Sequence, residues 1–441
     1  MLYKHLTIKS GWLHRLKEVP VRRRRSVKHI WLQMDLLQYT PRENHNFQAV
    51  RSSADNMGVR GFLRRLFATL ADWEDHDRAS CPKSLTLEVS ACSVSDRNCH
   101  GELDFDSNSW AAQQEVDFSS EDDASRPTTP RSLERIAELF TYSDFSLPPM
   151  DTFCRVHMVR GLVLRRQTRR TLHPEILAEV VRALPNLESV CYEPWYCDQD
   201  YCHALSTALP ESLRELMLFR DFNEAYDTVI TDDTGNDNDF EGQPELLQEL
   251  RTMSTPGIFM RASPDIGAAL AKRSLSLVRL SASYIAEASD FFAARDPAWV
   301  WDSLLSLSLT SYLMVPETAE DALHCLLIDA GLSALQMPRL KTMAVWYGTK
   351  GNACAFTYEA NDHHTAIKWQ GTRDLVFGAK VIDVWRQVAL RNTRWELTVE
   401  RRDVMSETSI KSHAVAIQRL GLAGRVVHPV SLRQIAKEAG K

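Results

Sequence analysis

Apolar positions along the chain follow one short template, L-x-x-L-x-L, and three copies of it fall in quick succession between Val159 and Phe219. They read Val159-Arg-Gly-Leu162-Val-Leu164, Leu187-Glu-Ser-Val190-Cys-Tyr192 and Leu213-Arg-Glu-Leu216-Met-Leu218. Their spacing of roughly 26 residues lies in the range of strand-plus-helix solenoid repeats. Between the copies, His173 to Leu184 and Tyr201 to Leu209 have helical character, and each stops at a proline, Pro185 and Pro210. A proline restricts the residue before it to extended backbone, so helices end there.

The template recurs at Leu6-Thr-Ile8, Val27 to Leu32, Leu85 to Leu87, Leu275 to Leu280, Leu304 to Leu309 and Leu340 to Val345. Alternate side chains of a strand share a face, so the last two apolar positions of every copy point into one core. The interleaved residues then line an opposite, open face: His29, Trp31, Gln33, Thr86, Glu88, Val163, Arg165, Ser189, Glu193, Glu215, Phe219, Arg279, Ser308 and Trp346. Helical spacing appears at Val59 to Trp73, Pro264 to Leu270 and Thr318 to Leu327. Cys92 to Pro130 and Asp221 to Pro244 are polar and acidic, and such composition buries too little apolar surface to offset ordering entropy.

After Val345 the pattern changes. Ala355 to Tyr358 and Ile367 to Trp369 read as strands around the turn Asn361 to His364, followed by a helix over Ala379 to Arg391 and a strand over Trp395 to Val399. Ile410 to Leu420 and Leu432 to Ala439 read as helices. The expectation is an α/β chain. Residues 1–346 form an irregular leucine-rich-repeat-like solenoid of parallel strands with flanking helices, with disordered insertions near 92–130 and 221–245. Residues 347–441 form an α+β cap on the end of the array.

Composition narrows the classes. At 44% hydrophobic and 25% charged residues, the 441-residue chain has the makings of an ordinary folded core. A formal net charge of -6 argues against a general nucleic-acid binder. No apolar run reaches the length of a membrane span and no signal segment opens the chain, so no membrane partner and a cytoplasmic or nuclear location are expected. Nine cysteines without C-x-x-C spacing read as reduced thiols.

Chemical motifs are few. Cys191, Cys197, Cys202 and His203 cluster, but at spacings that match no zinc pattern. Phosphate loops, nucleophile elbows and H-E-x-x-H helices are missing, so no catalytic residue, metal or cofactor is expected. His363 and Trp369 mark the alternative, an enzyme with a site between solenoid and cap. Thr129, before Pro130, is a candidate phosphate acceptor. The run Arg22 to Arg25 is a basic cluster that would bind nucleic acid only if Arg165, Arg166, Arg169 and Arg170 joined it in one patch.

Several segments carry a family resemblance. Lys4 to Lys9, Val27 to Leu32, Leu85 to Ser90, and Ser93 to Asp96 resemble filamentous-fungal F-box proteins with degenerate leucine-rich repeats. Leu184 to Glu188, Leu209 to Arg214, Trp369 to Thr372 and Val430 to Ile435 are similar to the C-terminal domain of unknown function in those proteins. The resemblance implies a substrate-receptor-like relative in a ubiquitin ligase. It implies a Skp-type adaptor only if an F-box is missing from the gene model, because no Leu-Pro-x-Glu-like segment precedes the first repeat. The functional expectation is a non-enzymatic scaffold that binds a protein partner, unidentified by the sequence. Its face would be His29, Trp31, Gln33, Glu88, Arg165, Glu193, Glu215, Phe219, Arg279 and Trp346, since aromatic and arginine side chains dominate binding hot spots.

Overall fold

A computed structural model describes residues 4–38, 45–76, 81–99, 152–169, 172, 174–195, 207–222, 264–401 and 404–439. The chain divides into two compact units, one of Met1–Leu213 with Ala225–Met253, the other of Arg214–Glu224 with Ser254–Lys441. The architecture is α/β with mostly parallel strands. Every copy of the apolar template coincides with one of the strands β1 to β9 defined below.

In the first unit, β1 (His5–Lys9), β2 (His29–Leu36), β3 (Leu85–Ser93), β4 (Val159–Leu164) and β5 (Ser189–Tyr192) pair in parallel, each beside the next in sequence. One rung runs Leu6, Ile30, Leu87, Leu162, Val190, so the leucine positions of the template stack inward. Helices α1 (Val21–Arg24), α2 (His45–His76), α3 (Val94–Cys99) and α4 (Pro174–Arg182) fill the connections. Helix α4 starts at a proline with Glu175 in its first turn, as backbone sterics and the helix dipole favour, and buries Ile176, Leu177, Val180 and Val181.

In the second unit, β6 (Glu215–Phe219), β7 (Arg279–Glu287), β8 (Ser306–Thr310) and β9 (Thr342–Thr349) are parallel and sequential. Strand β9 then turns back into β10 (Asn352–Ala360), β10 into β11 (Thr365–Gly371), and β12 (Leu397–Arg401) pairs in parallel with β11. Helices α5 (Pro264–Ser274), α6 (Ala288–Ala293), α7 (Glu320–Ala334) and α8 (Ala379–Asn392) precede α9 (His413–Arg419) and α10 (Pro429–Glu438). Trp385 of α8 packs on Phe356 and Tyr358, which share the face of Met343 and Val345. A Cβ on Gly331 would lie 2.7 Å from Val384, so glycine lets α7 and α8 approach.

Three boundaries differ from the sequence reading. The expected division at 346/347 falls inside β9; β10 is hydrogen-bonded onto that strand, β11 onto β10 and β12 onto β11. The first polar insertion begins later than Cys92, because β3 runs to Ser93 and α3 follows. Asp221 and Phe222, assigned to the second, are buried at 0% and 2% exposure. The rest of both insertions lies outside the described residues, as does most of the helix expected at Tyr201 to Leu209.

Candidate functional site: the sheet face and its two polar clusters

In each unit the strand face opposite the leucine rungs carries the interleaved residues, and it changes character along the strand direction. At the upstream ends these side chains are accessible, except His29 at the start of β2, which is buried. His5 and Thr7 of the first unit are exposed, and Thr86, Val163 and Ser189 are half-buried. Glu215 and Arg279 of the second unit are exposed and pair at 3.5 Å, while Thr342 donates to Ser306 at 2.9 Å. Towards the carboxyl ends the same face becomes a packed polar cluster in both units.

In the first unit Glu88 is the hub. Its carboxylate meets Nε2 of His29 at 2.9 Å and Nε of Arg165 at 2.6 Å, with Glu88 and Arg165 both fully buried. The Arg165 guanidinium lies over Trp31 at 5.4 Å, and the Trp31 indole donates to Ser90 at 2.8 Å. Directly after Arg165, the amide of Arg166 donates to the Glu193 carboxylate at 3.1 Å. Trp195 donates its indole N–H to the Arg166 carbonyl and sits under Arg166 and Arg169 at 5.0 and 4.4 Å. Charges taken out of water need this pairing, because an unpaired buried charge costs several kcal/mol, roughly 3–5 when a partner is removed. Burial, and next the Glu193 carboxylate, push the Cys191 thiol well up, against the pull of Arg165. A thiol held in that form is a poor nucleophile.

In the second unit the cluster follows β6. Asp221 Oδ1 lies 3.3 Å from Nε2 of His413 at the start of α9, with both side chains buried. Phe219 and Phe222 each pack edge-on against Tyr284, while Phe219 stacks on the His413 ring and Phe222 lies 4.2 Å from it. Tyr284 adopts φ +58°, a left-handed conformation that costs a bulky side chain energy. It sits within the irregularity where the β7–β8 register shifts between Ala282 and Glu287. Its amide donates to Thr310 at 2.7 Å and its hydroxyl to the Gly348 carbonyl at 2.5 Å, which hold the turned backbone. Beyond it, Glu287 accepts from the Tyr312 amide at 2.9 Å; burial raises its carboxyl above the ordinary range despite the Ser311 and backbone hydrogen bonds. Burial likewise pushes the Tyr312 phenol up to about 12, against the Arg220 charge.

The expectation of a wholly wet face is therefore corrected. Of the ten residues named for binding, Glu215 and Arg279 are exposed and Gln33 is half-buried. His29, Trp31, Glu88, Arg165, Glu193, Phe219 and Trp346 are buried. In the second unit the cause is α9, which crosses that face. A Cβ on Gly348 would come within 2.6 Å of the Ala416 Cβ, and Gln370 donates to the Arg419 carbonyl at 2.7 Å. Ser281, Ser308 and Ala344 lie buried on the same face. In the first unit the buried members are those drawn into the Glu88 and Glu193 networks.

The other sequence candidates also separate. His363 is exposed in the β10–β11 turn, its amide donating to Asn361, whereas Trp369 is buried within β11 with its indole on the Arg373 carbonyl. They form no common site. Arg165, Arg166 and Arg169 are buried and Arg22, Arg23 and Arg25 exposed, so these arginines make no single surface patch. Thr129, Arg170, Cys197, Cys202 and His203 lie outside the described residues. Among the described residues no group of three or more His, Cys, Asp or Glu could hold a metal ion, and no helix is long and apolar enough to cross a membrane. Sequence reasoning missed Arg220, Asp221, Tyr284 and His413. A charged pair placed directly after the apolar run of β6, as Arg165 and Arg166 follow β4, was the available signal.

An α/β chain of sequential parallel strands with buried polar clusters at the strand ends is the class that this geometry defines. Residues 208–428 match the family of unknown function DUF6546, and the chain belongs to that family. No curated protein matches it. Among solved structures it is similar to the leucine-rich repeat-containing protein LegL7 from Legionella pneumophila, at 11% identity, over 77% of this chain and 90% of that one, with a TM-score of 0.20. At that score the likeness carries no argument about fold. Neither comparison brings in an F-box or a fungal relative.

Proposed function

We propose that the chain is a non-enzymatic recognition scaffold, an irregular leucine-rich-repeat-like solenoid that binds a protein partner through the upstream band of its sheet face. The observation carrying this reading is the band of half-buried and exposed side chains in each unit: Thr86, Val163 and Ser189 in the first, Glu215, Arg279, Ser306 and Thr342 in the second. Parallel strands laid in sequence present such residues in straight rows, the arrangement by which repeat proteins offer extended binding surfaces. Burial pushes the Cys191 and Cys354 thiols and the Tyr312 phenol up, so none of the three is an activated nucleophile. By the family resemblance the partner would be a substrate delivered to a ubiquitin ligase, with adaptor docking supplied by another segment or another chain.

The test is quantitative affinity purification from the native cell with wild type, Thr86→Arg and Arg279→Glu. Proteins retained by wild type and lost from either variant support the band, and an adaptor and cullin among them support the ligase reading. Identical protein sets from all three chains would refute it.

A further inference from the structure

The N-terminal segment Lys4 to Lys28 stands apart from the rest of the chain in charge. It holds nine lysines and arginines against one carboxylate, Glu18, in a chain of net charge -6. The remainder is therefore more acidic than the total suggests, and positive potential is concentrated at this end. Nearly all of these cations are exposed, Arg24 being half-buried. Lys4, Lys9, Arg15 and Lys17 form no ion pair among the described residues, and neither do Arg22, Arg25 and Lys28. Among the described residues, no ion pair offsets the charge of these seven cations, as Glu88 does for Arg165.

Each half of the segment also displays an apolar side chain among its cations. Trp12, in the 3-10 helix Ser10–Leu16, is 54% exposed, and the Arg15 guanidinium sits 4.5 Å from its ring centre. Val21, at the start of α1, is 44% exposed beside Arg22. The segment is held firmly. Leu13 and Leu16 of the same 3-10 helix are buried, and Arg24 donates to the Val19 carbonyl while its guanidinium covers Trp73 of α2. Exposed cations around an indole and an aliphatic side chain match the boundary of an anionic bilayer, where phosphates meet acyl chains. A nucleic acid would use the cations and Trp12, but it has no use for Val21.

We infer that Lys4 to Lys28 is a peripheral membrane-binding surface that seats the chain on anionic lipid. The expectation of no membrane partner rested on the missing apolar span, and a surface-bound segment needs none. Occupancy is electrostatic with a shallow apolar contribution, so it is reversible and salt-sensitive.

Co-sedimentation of the full chain with phosphatidylcholine vesicles, with and without phosphatidylserine, tests this. Binding is expected only to the anionic vesicles and should fade at high salt. Arg22→Gln with Arg25→Gln should weaken it about 25-fold, about fivefold per cation near the surface. Trp12→Ala, which leaves every charge in place, should weaken it severalfold, whereas Arg391→Gln with Arg394→Gln should leave it unchanged. Circular dichroism checks that the exposed-site variants fold alike. Failure to sediment overturns the inference, as does binding indifferent to Trp12 and Arg22. So does displacement of the protein from vesicles by a random-sequence oligonucleotide at lower concentration than by free phosphatidylserine vesicles, which would reassign the patch to nucleic acid.

Discussion

Replacing Glu88 by glutamine tests the first polar cluster at its hub. Glu88 is fully buried and joins His29 at 2.9 Å to Arg165 at 2.6 Å. Glutamine keeps the shape and one oxygen but removes the charge that offsets the buried guanidinium. Breaking a buried pair by removing one partner costs about 3–5 kcal/mol. For a unit of about 240 residues that corresponds to a fall in Tm of about 6–20 °C. Hydrogen exchange should report the same loss locally, as faster opening of β2, β3 and β4 with β9 to β11 unchanged. The companion variant, Glu88→Leu with Arg165→Met, removes both charges and should recover most of the loss, since apolar replacements of a buried pair are often neutral or better. A Glu88→Gln protein within about 1 kcal/mol of wild type, or a double variant no better than the single one, would refute the reasoning.

Three further outcomes are expected. Gly348→Ala puts a Cβ against that of Ala416 at 2.6 Å, so amides of α9 should exchange faster, and Ala416→Gly should restore protection in the double variant. Exposed Cys154 and Cys325 should react with a maleimide well before Cys191 and Cys354, whose thiols burial pushes up; equal rates for Cys191 and Cys325 would contradict this. Glu287 has a carboxyl raised in the folded state above its ordinary 4.5, so between those values the folded chain binds the extra proton and its contribution to stability falls as pH rises. Glu287→Gln should therefore raise Tm at neutral pH, with the gain closing as pH drops towards 4.5; a gain that grows on acidification would oppose it.

The strands were legible because an L-x-x-L-x-L run states both an element and an orientation. Leu162, Val190 and Leu216 all point where alternation requires. Alternation assigns a residue to a face but does not say what covers that face. Trp346 and Ser308 could not be recognised as buried without the distant helix α9, whose His413 lies 192 residues from its partner Asp221. The clusters were hidden for a related reason. Arg165 looks like any surface arginine until Glu88, 77 residues earlier, is brought beneath it. Acidic composition assigned Asp221 to a loop, whereas its pairing with His413 and its aromatic surroundings hold it in the interior. Glu215 and Arg279, at the upstream ends of β6 and β7, remain accessible, whereas Gln33 is half-buried further along β2.

Strand-face shielding by α9 also has a consequence for how the chain is made. Helix α9 begins at His413, so it leaves the ribosome only after β8 and β9 have emerged. Throughout that interval Trp346, Ala344 and Ser308 have no lid, so the growing polypeptide carries a sticky half-finished surface until α9 has been extruded. Chaperones should accordingly favour ribosomes stalled before residue 413 over those stalled with α9 fully extruded.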